Sequence, residues 1–348
     1  MILTKNDLLK DISFNYNKFI GTQDLISTMN DYTLLGEINS SDISDFYKEV
    51  LKLNDYLKVT GNTKYKLHKS YPSPRSIYPF SIFLAIDGVY IKKDEFSDKY
   101  LVYKGINEKS DSIVIEFSDK YPEFYKSIKK TLLLLELGHL LYNIGVISQA
   151  YGVSWEVDFN SSNLVLKLKS NNVLKKHLNL NDFYRKIDLR SSGPFTNVYL
   201  GNKIETKHIN YSLEDSLSII KNIYGIHNIF NFIDMHIYIN ENSTEYKSKK
   251  SGNSISYQKL NQIYPYLNFR NNDAFIIFTI KNNYIVEEKL SFLYSGIGII
   301  SQNIILNNCC NNKFTRPIKS INLPLIDEIL CLDPSKETPV FGVIISNY

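Results

Sequence analysis

The chain has 348 residues, 43% hydrophobic and 22% charged, which is apolar enough to bury a core and excludes a disordered or collagen-like protein. Its 40 basic and 36 acidic residues leave a net charge of +4 spread along the sequence, so no dedicated nucleic-acid surface is expected. No apolar run reaches the roughly 20 residues that span a bilayer. MILTKNDLLKDISFNYNK has alternating charge and no apolar core of the signal-peptide kind, so a cytoplasmic protein without a membrane span is expected.

Residues 1–65 carry helical spacing at Leu8, Leu9 and Ile12 and again at Phe46, Val50, Leu51 and Leu53. They are read as a helical N-terminal segment, with Ser41-Asp42 placed to cap its second stretch. SIFLAID (81–87), VYIKK (89–93), YLVYKG (100–105) and SIVIEF (112–117) are short β-rich runs broken by Gly or Asp, the pattern of an antiparallel sheet. From Pro122 to Tyr151 apolar residues occupy every face, predicting one long buried helix that ends at Gly152. Residues 156–171 read as a returning strand.

A similar order then recurs. LEDSLSIIKNIYG (213–225) reads as a helix, MHIYIN (235–240) and AFIIFTIK (274–281) as strands, and EEKLSFLYSGIGIISQNIILNN as a second long apolar helix. The two long helices align internally, Gly138 with Gly298 and Asn143 with Asn303. The chain is therefore expected to be α+β, built of two pseudo-repeated halves at 66–175 and 176–348, each with a mainly antiparallel sheet packed by long helices. Cys309, Cys310 and Cys331 include no CxxC, and the six histidines no HxxxH or HxH, so neither a disulfide framework nor a metal site is expected.

Tyr71-Pro72-Ser73-Pro74-Arg75-Ser76-Ile77-Tyr78-Pro79 before a strand resembles the PSxGxxYP loop of the nitroreductase-like azoline dehydrogenases. These flavin enzymes oxidise thiazolines and oxazolines in ribosomally made peptides such as streptolysin S. GHLLYN resembles that family's GHxxxN helix. Arg316-Pro317-Ile318, LCLDP and the closing PVFGVIIS resemble its C-terminal part, and LRSSGPF (189–195) resembles the RxSxRxF start of a nitroreductase domain. The resemblance implies a nitroreductase-like fold, in effect a dimer fused within one chain. It also implies FMN as cofactor, a precursor peptide as substrate and a cyclodehydratase-type partner.

On that resemblance, Arg190 and Ser192 would hold the FMN phosphate through a bidentate guanidinium fork and a hydroxyl. Ser73 and Arg75 would face the flavin, and Arg316 would supply further positive charge. Lys120 and Tyr121 match the family's Lys-Tyr pair and would remove the substrate proton. The family's loop glycine is Arg75 here, and a long side chain is expected not to reach glycine's backbone angles. The second arginine of RxSxR is Pro194. A catalytically decayed scaffold of the same peptide-modifying complex is the alternative reading. His139, inside an apolar helix, is either a satisfied core histidine or an acid–base group, and Glu136 one turn earlier is placed to fix its tautomer. Trp155 is read as packing or as a flavin-edge residue.

Overall fold

The computed structural model describes residues 32–60, 65–95, 97–105, 111–118, 121–159, 163–169, 178–193, 209–210, 212–241, 244–264, 268–309, 313–319 and 323–347. The first sheet contains β1 (Leu34–Ile38), β4 (Phe80–Ile86), β5 (Val89–Lys93), β6 (Tyr100–Lys104), β7 (Ser112–Phe117), β8 (Ser154–Phe159) and β9 (Asn163–Lys169). A short separate ladder joins β2 (Lys58–Val59) to β3 (Leu67–His68). The second sheet contains β10 (Ile233–Asn240), β11 (Glu245–Ser248), β12 (Ser254–Ser256), β13 (Asn272–Lys281), β14 (Lys313–Ile318) and β15 (Glu337–Asn347).

The sheets carry the duplication. In the first the order is β1-β6-β5-β4-β7-β9-β8, and in the second β12-β11-β10-β13-β15-β14. Apart from the extra β1, the second order is the first with six added to every label. All pairings are antiparallel.

Among the described residues seven α-helices accompany them: α1 (Asp45–Leu51), α2 (Lys129–Tyr151), α3 (Leu180–Leu189), α4 (Glu214–Tyr224), α5 (Tyr257–Ile263), α6 (Glu287–Asn307) and α7 (Leu323–Leu330). One apolar core joins α2 and α6 to the inner faces of both sheets, represented by Ile82, Leu84, Ile113 and Ile115 and by Ile276, Phe278, Ile280, Val343 and Ile345. The strands alternate as half-covered strands do, so Phe275, Ile277 and Ile344 turn the other way, onto α5 and α7. α2 is buried without interruption from Thr131 to Ala150, which is why its sequence is apolar all round. By length and composition α2 and α6 would suffice to cross a membrane, yet both lie inside the protein as core helices.

Gly138 and Gly298 meet where α2 crosses α6. A Cβ on Gly138 would stand 2.0 Å from the Ser295 carbonyl oxygen, and one on Gly298 2.2 Å from that of Leu135. The glycines that align in sequence thus lie against each other on a pseudo-twofold axis. Polar pairs flank them: His139 Nε2 and Ser301 Oγ at 2.6 Å, Tyr142 OH donating to Asn303 Oδ1 at 3.0 Å, and Gln302 Nε2 donating to Asn143 Oδ1 at 3.1 Å.

Three expectations need correction. The described part of 1–65 is not wholly helical: Leu34–Ile38 adds to the free edge of β6, so the first sheet begins upstream of residue 66. Ser41 and Asp42 lie in a 3-10 turn, and Ser44 is the N-cap of α1. Residues 156–171 contain the greater part of a hairpin, β8 with β9, rather than one strand. The long helix begins at Lys129 rather than at Pro122, after a 3-10 turn over Glu123–Tyr125, and ends as expected, Gly152 closing it in the left-handed region at φ 71°.

Candidate functional site

The segment between β3 and β4 lies against α2, α6 and the residues that follow α3. Its backbone is strained. Arg75, Ser76 and Tyr78 have φ of 53°, 54° and 47°, left-handed values that cost a non-glycine residue about 1–3 kcal/mol each and concentrate at functional sites. Arg75 therefore does adopt the conformation for which a glycine was expected. The surroundings over-determine it: Ser73 Oγ accepts from the Tyr78 backbone N–H at 2.9 Å, and the Arg75 guanidinium lies 4.5 Å from the Phe124 ring centroid. Tyr78 OH and Ser76 Oγ lie 3.3 and 3.4 Å from His68 Nδ1, and Thr60 Oγ1 lies 3.0 Å from its Nε2.

The fragments expected to share a site are brought together here. Arg190 follows α3, and its Nη2 donates to the carbonyls of Lys69 at 3.1 Å and Tyr71 at 3.3 Å, tying the second half to the loop of the first. Arg316 on β14 donates to the Ser192 and Gly193 carbonyls at 2.9 and 3.0 Å, so it fixes the backbone of this segment. Lys58, which the sequence did not single out, donates to the carbonyls of Asp188 and Arg190. Tyr121 is buried, and its hydroxyl donates to Glu136 Oε1. Lys120 lies outside the described residues.

Glu136 turns away from His139, contrary to expectation: it binds Tyr121, while His139 pairs with Ser301 across the pseudo-axis. Side chains three apart on a helix diverge enough to reach different neighbours. Trp155 is a core residue, 5.4 Å from Phe46 in a stacked pair and donating to Ser148 Oγ at 2.7 Å.

Burial governs the electrostatics. It pushes the Glu136 carboxyl up to about 8, against the opposing hydrogen bonds of Tyr121 and Ser73. It pulls His139 down to about 3 and His68 to about 4, with the Arg190 charge adding to both. The Tyr121 hydroxyl is held well above its ordinary value by burial and then by Glu136.

A set of buried polar atoms around this loop has no hydrogen-bond partner: Ser70 Oγ, Tyr71 OH, Glu136 Oε2, His139 Nδ1, Arg190 Nε and Gln302 Oε1. The Phe80 backbone N–H is near Tyr71 OH, and Pro72 is near His139, but neither makes good geometry. Unpaired buried groups cost about 1–3 kcal/mol each, so so many at one seam point to a polar ligand.

A stability optimum near neutrality follows. Glu136 binds its proton more tightly folded than unfolded, so stability is full below its ordinary pKa and is lost as pH rises through about 8. His139 and His68 act oppositely, their contribution being lost as pH falls from the ordinary histidine range through about 3 and about 4 respectively. Urea midpoints measured across pH should peak between the two limbs, and Glu136→Gln should flatten the alkaline limb alone.

The likeness to a known structure bears on this site. The chain matches a crystal structure from Anabaena variabilis of a protein provisionally classed as a nitroreductase. The TM-score is 0.69 and the identity 10%, and the match covers 99% of this chain and 100% of that one. The fold is nitroreductase-like. No protein-family profile matches the sequence, and no curated protein matches it. In the nitroreductase-like frame, the seam between the pseudo-repeated halves holds both the strained loop and the unpaired polar atoms.

Proposed function

We propose that this nitroreductase-like protein is a flavin-dependent oxidoreductase that binds FMN at the seam and oxidises thiazoline or oxazoline rings in a precursor peptide. The cluster of unpaired buried polar atoms carries the reading. Arg190 Nε and Tyr71 OH are donors and Gln302 Oε1 and Ser70 Oγ acceptors, which suits a ligand with both N–H and C=O edges and a phosphate. Arg190, Ser192, Ser73 and Tyr71 would hold it. Bound flavin supplies a hydride acceptor.

The protein's own residues would position the ring and take the proton, with Tyr121 at the loop as the described member of the Lys120–Tyr121 pair. An apolar lip supports a peptide substrate. Val59 and Leu67 face each other across β2 and β3 at 71% and 38% exposure, and Leu189 is 39% exposed between Asp188 and Arg190, whose carbonyls Lys58 binds. The upstream segment would meet a cyclodehydratase-type partner.

One observation favours the rival scaffold reading: Arg190 and Arg316 already donate to backbone carbonyls, which draws the seam closed. Spectroscopy separates the two. The purified protein should show flavin absorbance, or quench the fluorescence of added FMN in a saturable titration, and a thiazoline peptide should lose two hydrogens by mass spectrometry. Colourless protein that does not bind added FMN would leave the scaffold.

A further inference from the structure

Glu136 is the more deeply placed member of its pair. It is 2% exposed against 8% for Tyr121, and it sits in the third turn of a helix otherwise given to packing. Its Oε1 accepts from Tyr121 OH, the Ser73 hydroxyl stands close to it, and its Oε2 has no partner. Among the described residues no lysine or arginine pairs with this carboxyl. Arg75 is directed to Phe124 and Tyr125, and Arg190 to the Lys69 and Tyr71 carbonyls. The other titratable groups around it are Tyr71, Tyr78 and Tyr125, with His139 further along the helix.

A buried carboxyl without a counter-cation holds its proton or must be given a reason to release it. Ser73 ties this carboxyl to the strained loop, and Tyr121 is the hydroxyl that donates to it. We infer that Glu136 is the proton acceptor of the site and that the Tyr121 hydroxyl is the path to it.

The inference rests on the oxidoreductase reading of the seam. With flavin bound as the hydride acceptor, azoline oxidation would take a hydride from one ring carbon and a proton from its neighbour, whose C–H electron pair would become part of the new double bond. That proton goes to the Tyr121 oxygen as Tyr121 passes its own hydrogen to Glu136. The pair gains one proton, and the carboxylate charge is neutralised. Tyr121 is the catalytic residue in this scheme, and Glu136 acts through it as a positioning residue that sets the charge of the pair.

Two measurements test it. In infrared spectra of the full chain recorded against pH, a protonated-carboxyl carbonyl band should vanish as pH rises through about 8. It should be absent in Glu136→Gln and displaced in Tyr121→Phe. Persistence of the band in Glu136→Gln, or its loss only at ordinary carboxylate pH, would overturn the inference whether or not flavin binds.

With FMN bound and a synthetic thiazoline dipeptide as probe, Glu136→Gln should slow single-turnover flavin bleaching by roughly 10²–10⁴-fold. Its rate should also no longer rise with pH. An unchanged rate and profile in that variant would equally overturn the inference. Failure of the wild type to bind FMN would instead remove the oxidoreductase reading, leaving the infrared result to decide the pair.

Discussion

Gly138→Ala is expected to cost about 3 kcal/mol or more of folding stability, the upper end of what overpacking exacts. A helical glycine replaced by alanine ordinarily gains about 1 kcal/mol from propensity, so the sign is set by what the new methyl meets. At Gly138 it meets backbone: the Ser295 oxygen at 2.0 Å, Gly298 Cα at 2.7 Å and the Ile299 nitrogen at 2.9 Å. None of these moves without separating α2 from α6, and those helices join the two halves. Gly298→Ala meets the Leu135 oxygen at 2.2 Å and should behave alike.

Because both substitutions force apart the same crossing, the double variant should lose less than the sum of the two. Gly145 supplies the contrast. Its added Cβ would meet side-chain atoms of Ile219, at 2.7 to 2.9 Å, and no backbone, so relief needs only a shift of α4 and not a parting of α2 from α6, and Gly145→Ala should cost less. Urea midpoints of the four variants decide it, and a Gly138→Ala protein as stable as wild type would mean that the helices do not cross there.

The alignment of Gly138 with Gly298 was legible in the sequence as a mark of duplication, carried in the same register by two helices apolar on every side; that it marks their crossing comes from the structure. The strands were legible for a similar reason: SIFLAID and AFIIFTIK are runs of β-branched and aromatic residues in lengths typical of strands. The short strands Glu245–Ser248 and Ser254–Ser256 and the helix Leu180–Leu189 were not. SIS is a polar edge strand and EYKS, beside it, is short and half polar, so their pairing comes from the neighbouring strands and leaves little pattern in their own sequence.

At the site, motif resemblance set the loop and Arg190 in one composite site, and what it did not foresee is that the Arg190 guanidinium donates to the loop's own carbonyls at Lys69 and Tyr71. Glu136 was seen and given the wrong partner. Helical spacing says which side chains are neighbours on one helix, and it says nothing of a tyrosine arriving from the segment before it.

One FMN per chain, not two, is the expected stoichiometry. A symmetric nitroreductase-like pair would offer two equivalent seams, and the register that sets Gly138 on Gly298 identifies the second one here. It places Gly296 opposite Glu136 and Ile299 opposite His139, and it replaces the loop before β4 with the segment before β10. That segment carries Ile229, fully buried, whose Cδ1 would lie 2.3 Å from a Cβ on Gly296. Around it stand Tyr224, Phe232 and Phe292, with ring pairs at 6.3 and 5.8 Å.

The first seam therefore gathers unpaired polar atoms, while around Gly296 its counterpart is lined by Ile229 and the rings of Tyr224, Phe232 and Phe292. Loss of even one or two charge-assisted hydrogen bonds, at about 1.5–3 kcal/mol each, would weaken binding there by orders of magnitude. Flavin released by denaturation and quantified against protein should give a ratio near one. Arg190→Gln should remove it, because the remaining seam offers no second anchor. A ratio of two would show that the apolar plug opens and would overturn the single-site assignment, whereas a ratio of zero would count against flavin binding itself.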